Sequence, residues 1–85
     1  MNYLVYELNA QGGDVVQVTL DKQANVRLMD STNYQSYRNG RRHQFHGGLA
    51  KTSPCCVPVP HTGRWYVTID LGGYGGRVNA SVRVV

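Results

Sequence analysis

The sequence predicts a small all-β domain, an antiparallel β-sandwich or open barrel, jelly-roll-like, of about six to eight short strands with at most one helical turn. Three observations carry that expectation. Apolar and polar residues alternate in several short runs, glycine- or aspartate-rich turns separate the runs, and no segment of ten residues shows a helical period.

The elements follow in order. Tyr3 to Leu8 is a β-rich run that ends in the turn Asn9–Asp14. Val15 to Leu20 alternates, with Val16, Val18 and Leu20 on one face. After the turn Asp21-Lys22-Gln23, the run Ala24 to Met29 alternates again, with Ala24, Val26 and Leu28 inward and Arg27 outward. The two runs are close enough in the chain to pair as an antiparallel hairpin. Asp30-Ser31-Thr32-Asn33 holds residues that start turns or cap helices, and Tyr34 and Tyr37 sit one helical turn apart. Asn39-Gly40 reads as a hairpin turn and Gly47-Gly48 as a second break.

Leu49 to Pro60 contains Pro54, Pro58 and Pro60, which confines it to a sheet edge or an extended connection. Arg64 to Leu71 is the clearest strand, with Trp65, Val67, Ile69 and Leu71 on one face and Tyr66, Thr68 and Asp70 on the other. Gly72–Gly76 is a turn around Tyr74, and Arg77 to Val85 alternates once more. These last two runs read as a second hairpin, so a two-sheet arrangement with one hairpin in each sheet is expected.

The 85 residues make one domain, 1–85. A core this small favours a surface groove, or a site shared between subunits, over a deep enzyme cleft. The two cysteines, Cys55 and Cys56, are adjacent, so their Cα atoms lie closer than disulfide geometry prefers. Free thiols in a reducing compartment are expected. No apolar run approaches the ~18–20 residues of a membrane span, and the N-terminus lacks a signal-peptide pattern. The sequence therefore points to a cytoplasmic protein that does not engage a membrane.

The net charge is +4, and it is focused. Arg27 to Arg64 holds six basic residues against Asp30, which leaves five net positive charges there and one net negative charge elsewhere. At its centre, Asn33 to His46 reads NYQSYRNGRRHQFH. Arginine forks suit phosphate or carboxylate, and aromatic rings stack on bases or sugars. The candidate ligand-binding residues are Tyr34, Tyr37, Arg38, Arg41, Arg42, His43 and His46, with Arg64 and Tyr74 as neighbours. The other reading is a solvated loop whose tyrosines pack on the sheet and whose arginines maintain solubility.

Other chemistry has less support. His43, His46 and His61 have a tolerable spacing for zinc, but adjacent cysteines do not match the spacing of structural zinc sites. No third group orients a cysteine–histidine pair for nucleophilic catalysis. Asp14 and Asp30 stand where turns begin, and the acids are otherwise scattered. Gly72–Gly76 opens no helix, so it lacks the amide cradle of a phosphate loop. No catalytic residue, metal site or cofactor is assigned.

The stretches Gly13–Val16, Val26–Asp30, Asn39–His43, Pro58–Gly63 and Asp70–Gly73 resemble, in order and spacing, a family of short bacterial proteins catalogued as domain of unknown function 1883. The resemblance spans nearly the whole chain. It implies a bacterial, non-catalytic, all-β module and supplies no site residues. Some members are joined to a TIR signalling domain, which implies a sensing or interaction role. Two functions are therefore expected in the alternative: a binding module for an anionic or carbohydrate-like ligand or a protein partner, or an assembly component such as a homodimer. A small hydrolytic enzyme with His43 or His61 as base comes third.

Overall fold

The computed structural model describes residues 3–73 and 75–85. Among them are seven strands and one helix: β1 (Leu4–Ala10), β2 (Val15–Leu20), β3 (Ala24–Met29), α1 (Ser31–Arg38), β4 (His46–Ala50), β5 (Cys55–Pro58), β6 (Gly63–Asp70) and β7 (Ala80–Val84). They form two antiparallel sheets, one of order β1-β6-β3-β4 and one of order β5-β2-β7. The sheets face each other as a sandwich and do not close into a barrel.

The inward faces are those the alternation predicts. Val16, Val18, Val26, Leu28, Val67 and Ile69 are all fully buried between the sheets. Trp65 closes one end of this core, and its indole Nε1 donates to the His61 carbonyl at 3.0 Å. Proline-bearing β5 lies at a sheet edge, as its missing donors require. Cys55 turns toward the core and Cys56 toward solvent, and both thiols are free.

Neither expected hairpin forms. β2 and β3 belong to opposite sheets, and so do β6 and β7. Alternation specifies which face of a strand is buried but not which strand lies beside it. The turn after Leu20 and the longer link between Asp70 and Ala80 join strands of opposite sheets. Among the described strands, only β3 and β4 are successive in sequence and paired. The link between them is long, and it contains α1.

That helix exceeds the single turn expected. Asp30 caps its start in an extended conformation, its Oδ1 accepting from the Asn33 backbone N–H at 2.8 Å. At its end the Gly40 N–H donates to the Tyr37 carbonyl, and the Arg41 N–H donates to the Ser36 carbonyl at 2.8 Å. This is a Schellman cap, with Gly40 at φ +69°. Asn39-Gly40 is therefore a helix stop and not a hairpin turn. Both structures use a glycine in the left-handed region, so the dipeptide alone does not distinguish them. The helix is polar and eight residues long, and its stability comes from the sheet it covers.

Gly47 sets how closely β4 approaches β3. Its φ is +109°, and an added Cβ would stand 2.5 Å from the Val26 carbonyl oxygen. Backbone strain of this kind costs about 1–3 kcal/mol before any steric displacement. Gly47→Ala is expected to destabilise the domain by at least that much in urea unfolding, while Gly40→Ala loses about 1 kcal/mol or more through the cap. Equal stability of Gly47→Ala and the unaltered protein would contradict this packing.

Candidate functional site

Helix α1 lies on the outer face of the four-stranded sheet, over β6 and β3. The cross-strand register places Asn25 and Arg27 of β3 beside Asp70 and Thr68 of β6 on that face. Asp70 is 3% exposed and gathers the contacts that hold the helix down. It forms an ion pair with Arg27 Nη1. It accepts from Asn25 Nδ2 at 3.0 Å, from the Tyr37 hydroxyl at 3.1 Å and from the Gly72 backbone N–H at 2.8 Å. Burial pushes the Asp70 pKa up, but the donors Asn25 and Gly72, the Arg27 charge and the Tyr37 hydroxyl together outweigh it and hold the carboxyl below 3.8.

The tyrosines of the basic segment are part of this layer. Tyr37 is 3% exposed, and the Arg27 guanidinium lies 5.6 Å from its ring centroid. Burial and the facing Asp70 charge push its phenol up to about 12. Tyr34 stacks on Tyr66 at 4.4 Å with the rings 7° from parallel, and its hydroxyl meets that of Tyr3 at 3.3 Å. Burial and the Tyr3 hydrogen bond raise the Tyr34 phenol to about 12 as well. Tyr34 and Tyr37 thus fasten the helix to the sheet, Tyr37 buried and Tyr34 half-buried. Sequence reasoning ranked them as contact residues because a one-turn spacing of tyrosines does not show which way they point.

The basic residues separate into groups. Arg38 is exposed on the last helical turn, 5.9 Å from the Tyr34 ring. Arg41 and Arg42 are exposed just beyond the Schellman cap. His43 is half-buried, its ring edge-on to Tyr37 at 5.1 Å and its Nδ1 2.9 Å from the Arg41 carbonyl. Arg64 lies apart and pairs with Glu7 across the sheet surface at 3.1 Å. Both partners are well exposed, so the pair adds little to stability. Tyr74 lies outside the described residues.

Between the start of α1 and the lead into β4 is a hollow of about 470 Å³. All three histidines of the chain line it, together with Phe45 and Trp65. His61 lies 4.8 Å and His46 6.1 Å from the Trp65 ring, and His43 lies 5.8 Å from Phe45. Asp30, Asn33 and Gln44 border it. The Asp30 and Asn33 side chains are already bonded to each other, and Asn33 Oδ1 accepts from the Gln44 backbone N–H at 2.8 Å. His43 and His46 were candidates from the sequence. The sequence offers His61 only as a base or metal ligand and Trp65 only as part of an apolar strand face, because their approach to the basic segment depends on how β6 and β4 are placed. Among the described residues no three His, Cys, Asp or Glu side chains are arranged to hold a metal ion. No helix among them is long and apolar enough to cross a membrane.

Fold and site together define a small all-β sandwich module whose one external helix presents a basic turn beside an aromatic hollow. The chain belongs to the family described as Domain of unknown function (DUF1883), whose model matches residues 1–85. No curated protein and no solved structure matches it.

The Asp70 arrangement predicts how stability depends on pH and mutation. Asp70 has a lowered folded-state pKa, so its contribution is complete above about pH 4 and is lost as pH falls through that lowered value. Tyr37 and Tyr34 have raised values, so theirs is complete below pH 10 and is lost as pH rises toward 12. Asp70→Ala leaves the Arg27 charge without its partner and is expected to cost about 3–5 kcal/mol. Tyr37→Phe is expected to cost about 1–3 kcal/mol at pH 7 and less near pH 12, as read by denaturant titration at each pH.

Proposed function

We propose that the domain is a non-catalytic binding or sensing module that takes an anionic ligand on the surface made by Arg38, Arg41, Arg42 and His43. One observation carries this reading. The arginines stand exposed on a turn whose backbone is held by the helix cap, while Tyr34 and Tyr37, which precede them in sequence, pack against the sheet. The positive charge is therefore concentrated on a supported surface, and Arg41 and Arg42 adjoin the hollow through His43. Arginine forks held in this way suit phosphate or carboxylate groups. The exposed thiol of Cys56 and its free neighbour Cys55 support a cytoplasmic setting.

Reversing the charge tests it. The double variant Arg41→Glu/Arg42→Glu should fold normally, because both side chains are exposed. It should lose at least tenfold in affinity for inorganic phosphate and phosphorylated small molecules, and affinity in the unaltered protein should fall as salt rises. Binding that neither salt nor the double variant alters would overturn the reading.

A specific observation favours self-association as a second reading. Phe45 and Leu49 are 40% and 52% exposed beside the edge strands β4 and β5. Edge strands carrying apolar side chains are prone to pair with another chain. Sedimentation at micromolar concentration should show a dimer that Leu49→Lys dissociates. A clean monomer removes this reading.

A further inference from the structure

We infer that the hollow beside the basic turn receives a flat heteroaromatic ring, so that the ligand of this surface is a nucleoside phosphate. Its base would enter the hollow and its phosphate would lie on Arg41 and Arg42. The inference rests on the anion-binding reading above and adds the ring to it.

The lining supports a ring over a second anion. The walls are π surfaces from separate parts of the chain: His43 and Phe45 from the lead into β4, His46 from β4 itself, and His61 from the turn before β6. Trp65 lies beside His61 and His46, tilted at 4.8 Å from the first and edge-on at 6.1 Å from the second. Base-on-aromatic stacking is favourable for any base, since each has a π face. Asp30, the carboxylate in the lining, is engaged by its capping bonds, and an acidic side chain there disfavours a phosphate inside the hollow. A phosphate is favoured toward His43, whose ring meets the Arg41 carbonyl and whose chain neighbour is the exposed Arg42. A ligand with one flat neutral end and one anionic end satisfies both conditions.

Polar groups and size narrow the class further. The Gln44 side chain is exposed at the border and supplies both a donor and an acceptor for the edge of a base. A volume of about 470 Å³ lies within the range of small-molecule sites and suits one ring system.

Trp65 is the chain's single tryptophan and serves as the reporter. Its fluorescence is followed during titration of the full chain with adenosine, guanosine, cytidine and uridine 5′-monophosphates, with ribose 5-phosphate and with inorganic phosphate. Calorimetry provides a second readout that does not depend on the indole. At least one nucleotide is expected to bind about tenfold or more tighter than ribose 5-phosphate, with saturable change in the tryptophan signal. His61→Ala, which removes an exposed ring but leaves the carbonyl that Trp65 uses, should bring the nucleotide down to the ribose 5-phosphate affinity and leave ribose 5-phosphate binding unchanged. Arg41→Glu/Arg42→Glu should weaken both ligands. Equal affinity for nucleotides and ribose 5-phosphate, with both lost in the arginine variant, overturns the ring inference and leaves the anion reading standing. No binding of any of these compounds overturns both.

Discussion

The carboxylate of Asp70 is the constraint on which the external face of this domain depends. A buried charge is costly unless it is paired and fully hydrogen-bonded. Here it is both, with donors from β3, from α1 and from the turn after β6. These donors belong to parts of the chain that are distant in sequence. The requirement to satisfy one carboxylate therefore fixes where the helix sits on the sheet. The aromatic layer of Tyr3, Tyr34, Tyr37 and Tyr66 supplies apolar burial around that polar centre.

Helix placement then governs the basic turn. An eight-residue polar helix has little stability alone, and the Schellman cap at Gly40 is useful only where a helix exists to be capped. With the helix fastened through Tyr37, the cap determines where Arg41 and Arg42 emerge, and His43 returns to the Tyr37 ring. The same return brings Phe45 near Arg27 and His46 near Trp65. The hollow and the arginines are thus two products of a single connection between neighbouring strands. An exposed basic turn and a ring-lined hollow both follow from that geometry.

The sandwich has a complementary role. Successive strands mostly alternate between the sheets, so each sheet is assembled from segments far apart in the chain. The β3–β4 link departs from that rule, since it begins and ends on adjacent strands of one sheet. A connection that does not cross the core has length to spare for an external structure. It is also where the regular alternation of the sequence breaks down.

By itself the sequence determined the all-β class, the inward faces of β2, β3 and β6 and the concentration of charge near Arg41, and it limited the proline-rich stretch to a sheet edge or a connection and Asp30 to starting a turn or a cap. These are local matters: a period of two, a missing donor, a side-chain oxygen three residues from an amide. Tertiary structure alone decided the strand partners, the pairing of Arg27 with Asp70, the packing of Tyr34 and Tyr37 on the sheet, and the meeting of His61 and Trp65 with the basic segment. Each of these depends on which strand lies beside which. Alternation is equally satisfied by a neighbour in the same sheet or by a facing strand across the core, so it leaves that choice to the packing of the whole.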